Sequence, residues 1–270
     1  MDPEPRTAKS DAFRSLHRRN ILILPNAWDV ASARIIQQAG FSAVATTSAG
    51  IAFTLGYPDG QRISRDEMLA VVARIAKAVK LPVTADVEAG YGDRPEDAAR
   101  TAHDVLAAGA VGMNLEDATG DPQHPLLDLA LQVERVKAAR ELPIVLNART
   151  DIYLLEVGTP EKRYDEALRR LAAFRDAGAD CVFVPGLRDA ATIGRFVKDL
   201  QCPVNILAGP GSPPVPELQK LGVARVSVGS AAMRATLGLL RQIAEELKSA
   251  GTYSTLEGGI PFADVNRMME

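Results

Sequence analysis

Eight short apolar runs, introduced by two alternating kinds of punctuation, constrain this 270-residue chain more than any other feature. The runs are ILILPNA from Ile21, SAVATTS from Ser42, PVTADVE from Pro82 and GMNLEDA from Gly112, then PIVLNAR from Pro143, CVFVPGL from Cys181, VNILAGP from Val204 and RVSVGSA from Arg225. They are rich in β-branched residues and almost continuously apolar, as parallel strands buried on both faces are. Between them lie amphipathic stretches such as DEMLAVVARIAKAV and RYDEALRRLAAFRDAG, with apolar residues at helical spacing. The lead-ins AGFSA, AGAVG, AGADC and LGVAR precede the second, fourth, sixth and eighth runs, and the glycine in each suits a left-handed helix cap. KLPV, ELPI and QCPV precede the third, fifth and seventh, where proline stops a helix and opens an extended run.

Eight such units predict an α/β fold, a (β/α)8 TIM barrel with a parallel eight-stranded sheet. A doubly wound open sheet would normally show a glycine-rich first βα turn, and PNAWDVASA has none. The length suits one barrel domain over residues 1–270. The amphipathic piece DAFRSLHRR is placed under the barrel's bottom, and residues 251–270 form a tail suited to packing or subunit contact. A formal net charge of −3 and 5% aromatic residues give no reason to expect nucleic acid or a membrane surface. No run resembles a signal peptide or spans a bilayer, so the expected location is cytoplasmic. Cys181 and Cys202 read as core thiols.

In a barrel of this type the chemistry sits at the carboxyl ends of the strands. Those ends carry Thr46 to Gly50, Asp86 with Glu88, Glu116 with Asp117, and Asn147 with Arg149. A regular strand turns Asp86 and Glu88, two apart, to the same side. Glu116 closes the next strand, and Asp59 lies in the loop LGYPDGQRIS. Converging carboxylates raise one another's pKa unless a cation neutralises them, and their oxygens suit a hard divalent ion. Asp117 reads as a helix cap or a rim ion pair. Arg149 can grip a carboxylate bidentately, or it can form an internal salt bridge to Glu116 or Asp151. The backbone around Gly50 suits an anion. His17 reads as surface-like and His103 as a helix-face residue, which leaves His124, in TGDPQHPLLD, as the histidine placed to reach the site. No strand ends in lysine, which argues against a Schiff base, and neither GxSxG nor GxxxxGK[ST] occurs. Histidine and cysteine are too sparse for a zinc cluster.

TADVEAGYG followed one βα unit later by GMNLEDA, with PNAWD upstream and NARTD downstream, resembles the isocitrate lyase/phosphoenolpyruvate mutase superfamily. The resemblance runs from about Pro25 to Arg234. It implies a (β/α)8 barrel with its C-terminal helix exchanged between subunits, in a homo-oligomer that is commonly a tetramer. It also implies Mg2+, with Mn2+ as a substitute, and a 2-oxo acid or its enolate. By position, Asp86 resembles the direct metal ligand, and Asp59, Glu88 and Glu116 its water-mediated shell. Thr47, Ser48, Ala49, Gly50 and Ile51 match the segment whose amides hold the substrate carboxylate. Arg149 matches the substrate-binding arginine, Asn26 in PNAWD falls among the substrate contacts, and Tyr91 belongs to the turn beside the metal. His124, Tyr91 or a water on the metal is left to deliver the proton.

Three departures shape the functional expectation. The loop DATGDPQHPLLD lacks the cysteine run of isocitrate and methylisocitrate lyases, and Ala118 stands where mutases and phosphonopyruvate hydrolases usually have lysine. Ser230 stands where some oxaloacetate decarboxylases have histidine. The expected function is a Mg2+-dependent carbon–carbon lyase acting on a small 2-oxo or 2-hydroxy dicarboxylate, by decarboxylation or retro-aldol cleavage through an enolate. The alternatives are a phosphonate or carboxyphosphonate mutase or hydrolase, and a non-catalytic 2-oxo-acid binder.

Overall fold

Strand and helix alternate as the punctuation requires, in a computed structural model that describes residues 4–18 and 20–270. The chain runs through α1 (Glu4–Leu16), β1 (Leu22–Leu24), β2 (Asn26–Ala27), α2 (Val30–Gln38), β3 (Val44–Thr46), α3 (Ser48–Thr54), α4 (Arg65–Ala78) and β4 (Val83–Asp86). It continues through α5 (Pro95–Ala107), β5 (Gly112–Glu116), α6 (Leu129–Arg140), β6 (Val145–Arg149), α7 (Pro160–Asp176), β7 (Cys181–Phe183) and α8 (Ala190–Leu200). The last elements are β8 (Val204–Leu207), α9 (Val215–Lys220), β9 (Arg225–Ser227), α10 (Ala231–Ser249), a short 3-10 turn and α11 (Phe262–Met269). The four lead-in glycines Gly40, Gly109, Gly178 and Gly222 all take positive φ, between 82° and 101°. Each therefore ends its helix in the left-handed cap that a side chain would resist.

All strand pairs are parallel, in the order β1-β9-β8-β7-β6-β5-β4-β3-β2. The first predicted strand is in fact two pieces. Pro25 has no N–H to offer a ladder, and the pairing changes there: Leu22 lies opposite Arg225 of β9, whereas Asn26 lies opposite Ala45 of β3. The two halves join opposite edges of the sheet, so nine segments close an eight-stranded barrel. Asn26 fastens that seam. Its Oδ1 accepts from the backbone N–H groups of Val228 and Gly229, each at 2.9 Å, and its Nδ2 donates to the Thr46 carbonyl at 2.7 Å.

Phe13 of α1 plugs the amino-terminal end of the barrel, fully buried against Leu22, Leu24, Ala43, Ala45, Val111 and Val145. His17 is not the surface residue its position suggests. It is buried, edge-on to Phe13 with ring centroids 5.1 Å apart, and its Nδ1 lies 3.2 Å from the Phe13 carbonyl. Helices pack around the sheet through a second apolar layer that includes Val72, Val105, Leu146, Phe174 and Phe196. At the other end of the chain α10 buries only Met233 and leaves Leu237, Leu239, Leu240 and Leu247 exposed, while α11 folds back on α2. No helix among the described residues is long and apolar enough to cross a membrane.

Burial, with the Arg225 charge adding to it, lowers the His17 pKa from its ordinary 6.5 to about 4. A base with a depressed folded pKa costs nothing above pH 6.5, and it withdraws stability as the pH falls towards 4, because the unfolded chain takes up the proton first. The loss has an upper bound of about 3 kcal/mol. Urea unfolding at pH 7 and pH 4.5 should show this decline in the wild type and a shallower one in His17→Gln. Equal declines would mean that the imidazole is not held neutral.

Candidate active site

Strand β4 stops at Asp86, and the chain then turns through left-handed conformations at Glu88 (φ 54°), Gly90, Tyr91 (φ 58°) and Gly92. Strand alternation therefore does not deliver Glu88; this turn does. The turn is gripped from behind by Arg135 of α6, a fully buried guanidinium that donates to the carbonyls of Ala89 and Gly92. Gly92 has no room for a side chain, since a Cβ there would lie 2.6 Å from Asp97. Such a backbone is costly to hold, and the buried arginine restrains it.

Asp86 is fixed on both oxygens. Oδ2 accepts from the Ser48 backbone N–H at 3.1 Å and from its hydroxyl at 2.9 Å, and Oδ1 accepts from Asn114 at 3.1 Å. Asn147 in turn donates to the Asn114 Oδ1 at 2.7 Å, so the amide has its oxygen towards Asn147 and its nitrogen towards the carboxylate. Asn114 was not singled out in the sequence. The available signal was its place two residues before Glu116, on the same strand face.

Glu116 and Arg149 close neighbouring strands in register and pair at 2.8 Å. The other edge of the guanidinium is taken by Asp151, with Nη2 donating at 2.9 Å. Arg149 is thus the internal salt bridge considered from sequence, to both named acids at once. Asp117 forms an ion pair as expected, but in the interior and not at the rim, and it caps no helix. It is buried beneath Thr150, the Asp151 backbone N–H and Arg170, and burial lifts its pKa to about 6.

Between these strand ends lies a cleft of about 270 Å³. Asp59, Glu88, Glu116 and Asp151 line it together with Arg149 and Ser48. Gln61, Ala118 and the two leucines Leu154 and Leu155 also reach its wall. The acids feel one another. Burial, then Asp59 and Asp86, raises Glu88 to about 7; burial raises Glu116 against the pull of Arg149; desolvation and Asp86 raise Asp59. Glu88 accepts from the Gln61 backbone N–H through Oε2, while its buried Oε1 has no partner. The buried Tyr91 hydroxyl is also unpartnered, and burial together with Glu88 holds its pKa well above the ordinary value.

The fold therefore brings Asp59, Glu88, Glu116, Arg149 and Ser48 to one wall, with Asp86 one hydrogen bond behind Ser48. Thr47, Ala49, Gly50 and Ile51 form the start of α3 beside it. Gly50 packs too tightly against Trp28 for any Cβ, and its N–H faces the Thr47 hydroxyl at 3.3 Å. Three predicted residues lie off the wall: Tyr91 sits in the left-handed turn with its hydroxyl buried, and Asn26 and His124 are the others. Asn26 is committed to the barrel seam, where backbone groups occupy its amide. His124 is 81% exposed at the tip of a hairpin closed by an Ala118–Leu126 bridge, 3.3 Å from Asp121 and off the cleft wall. Gln61, Leu154 and Leu155 were missed, because loop residues show no periodicity that would announce where they point.

Among the described residues no three His, Cys, Asp or Glu side chains form a ready-made metal cluster. The donor set nevertheless fits a hard divalent cation. The carboxylate oxygen of Glu88 is orphaned, the neighbouring acids are crowded, and Mg2+ takes only one or two carboxylates directly.

A closed parallel barrel with a polar, acid-lined cleft at the carboxyl ends of its strands is an enzyme architecture. The family model described as phosphoenolpyruvate phosphomutase matches residues 13–248, and the chain belongs to that family of lyases and mutases. An uncharacterized protein of Mycobacterium tuberculosis H37Rv is 34% identical over 94% of each chain. The 2-methylisocitrate lyase of Escherichia coli K12 is 28% identical, over 91% of this chain and 86% of that one. A solved structure from Burkholderia cenocepacia J2315, described as a lyase/mutase, is 42% identical with a TM-score of 0.91, covering 97% of this chain and 95% of its own.

Removing one partner of a buried ion pair leaves the other charge uncompensated. Arg149→Met strands both Glu116 and Asp151, and should lower unfolding free energy by about 3–5 kcal/mol. Adding Glu116→Gln and Asp151→Asn should recover part of that loss in the same urea titration. A single variant as stable as the wild type would show that the pairing is not formed in solution.

Proposed function

We propose that the protein is a Mg2+-dependent carbon–carbon lyase acting on a small 2-oxo or 2-hydroxy dicarboxylate through an enolate. The observation that carries this reading is the surplus of crowded carboxylates on one wall of the cleft, with Glu88 Oε1 buried and unpartnered. Asp86 would hold the ion directly, and Asp59, Glu88 and Glu116 would hold its waters. Mn2+ would serve in the same place. The bound ion supplies Lewis-acid stabilisation of the negative charge that develops as the bond breaks.

The chain's own residues do the rest. Ser48 orients Asp86, and Glu116 and Asp151 fix the Arg149 guanidinium in the wall of the cleft. Leu154 and Leu155 give the mouth of the cleft an apolar rim that a bound substrate would cover. Burial, with Glu88, Asp86, Asp59 and Glu116 adding to it, keeps the proton on the Tyr91 hydroxyl, and that hydroxyl is the proposed donor to the nascent carbanion; His124 would first have to leave the exposed hairpin tip. Ala118 on the wall favours lyase chemistry over migration of a phosphoryl group, because the one arginine beside it is already neutralised. α10 supports an exchanged helix in a homo-oligomer, since it carries four exposed leucines and a single buried methionine. The expected setting is the cytoplasm.

Asp86→Asn should weaken Mn2+ binding at least tenfold by electron paramagnetic resonance, without loss of helical signal. A variant that binds Mn2+ as the wild type does would remove Asp86 from the metal. The reaction itself is read by NMR on oxaloacetate, methylisocitrate and phosphonopyruvate with and without Mg2+. Metal-dependent carbon–carbon cleavage supports the lyase, turnover confined to phosphonopyruvate supports the mutase or hydrolase, and binding without turnover supports a binder. Once a substrate is found, Tyr91→Phe should lower kcat far more than it raises KM. An unchanged kcat would exclude Tyr91 as the donor.

A further inference from the structure

The arginines that support the site have matched partners, with one exception. Arg149 and Arg170 meet carboxylates, and Arg135 donates to backbone carbonyls and to Gln132. Arg225 opens β9, is 1% exposed, and leaves its Nε and Nη1 buried without a partner. No carboxylate pairs with it among the described residues, and its hydrogen bond runs from Nη2 to the Asn114 Oδ1 at 3.4 Å. That contact crosses the barrel. In the strand order β9 and β5 stand four places apart in an eight-stranded cylinder, so they face each other across its interior.

Asn114 passes the contact on. Its Nδ2 donates to the Asp86 Oδ1 at 3.1 Å, while Asn147 steadies its Oδ1 at 2.7 Å. The amide therefore stands with its oxygen towards the guanidinium and its nitrogen towards the carboxylate, a dipole lying between two opposite charges. Asp86 is the carboxylate in the field of Arg225, the Cys181 thiol is the other acidic group there, and His17 below is a base that the same charge helps to keep neutral. A lone buried charge is expensive, and an apolar chain of similar size in its place is often harmless. A guanidinium held there with two idle nitrogens contributes its field more than its hydrogen bonds.

We propose that Arg225 is a positioning residue acting through Asn114 on Asp86, a built-in counter-charge that holds the carboxylate while no metal is bound and weakens its grip on a divalent cation. The proposal rests on the reading of Asp86 as the direct metal ligand. Its sign separates it from a structural role. A cation fixed one amide behind the carboxylate repels a second cation in front of it. Losing that charge therefore tightens metal binding, whereas a damaged core loosens it. Arg225 thereby sets the affinity of the site and leaves its ion exchangeable.

The test compares Arg225→Met and Arg225→Gln, two neutral replacements of different polarity, with Arg225→Lys, which keeps the charge. Mn2+ is titrated into each by electron paramagnetic resonance. The neutral variants should bind Mn2+ about tenfold more tightly than the wild type, and Arg225→Lys should stay within about twofold of it. A folded neutral variant that binds with wild-type or weaker affinity overturns the counter-charge, and so does a tightening that Arg225→Lys shares. A second measurement needs no metal. Arg225→Met should lower the urea midpoint more when Asp86 is present than in an Asp86→Asn background, because only the carboxylate loses a counter-charge. Equal shifts in the two backgrounds overturn the proposal. A wild type that binds no Mn2+ would sink the lyase reading instead, and the urea comparison then decides by itself whether Arg225 and Asp86 are coupled.

Discussion

A strand that changes partners at Pro25 closes the barrel, and the position of every group at the mouth depends on that closure. β1 pairs with β9 and β2 with β3, and Asn26 ties the Thr46 carbonyl to the amides of Val228 and Gly229 across the seam. Without the seam β3 and β9 would be free edges, and the acids of β4 and β5 would have no wall opposite them. Closure also sets the pairing that puts Glu116 opposite Arg149 and lets Asn147 reach Asn114. The amino-terminal helix completes the arrangement from below, where Phe13 fills the space that small strand residues leave.

The mouth holds more negative charge than its own cations neutralise. Arg149 satisfies Glu116 and Asp151, and Arg170 satisfies Asp117, which leaves Asp59, Asp86 and Glu88 without a cation in contact. Burying carboxylates in that state is expensive. The structure bears it with hydrogen bonds to Asp86 and with a left-handed turn clamped by Arg135, which makes the turn as much a part of the site as the acids. That surplus is what the proposed divalent cation would neutralise.

Across the same end of the barrel the sign of the charge changes. The acids lie on the sides of β4, β5 and β6, Arg188 and Arg234 on the sides of β7 and β9, and Leu154 stands between them. The chain-wide net charge of −3 conceals this division entirely. Family membership accounts for the barrel.

The sequence determined the architecture because barrel periodicity is local. Alternating apolar runs, four capping glycines and three helix-stopping prolines each act within a few residues, and all four glycines adopt the positive φ expected of them. It also determined which strand ends carry acids, so Asp86, Glu116 and Arg149 were legible from position alone. What it could not determine was decided by contacts between residues far apart in the chain. His17 reads as polar and terminal, yet it is buried because α1 folds under the barrel. Asn26 reads as a site residue, yet barrel closure requires its amide for the backbone. Glu88 faces the cleft through a left-handed turn that no alternation rule describes, and His124 is held away from it by a hairpin's own hydrogen bonds. Periodicity reports which face of an element is buried; only the closed barrel fixes which loops meet over its mouth, and so which charges stand opposite one another.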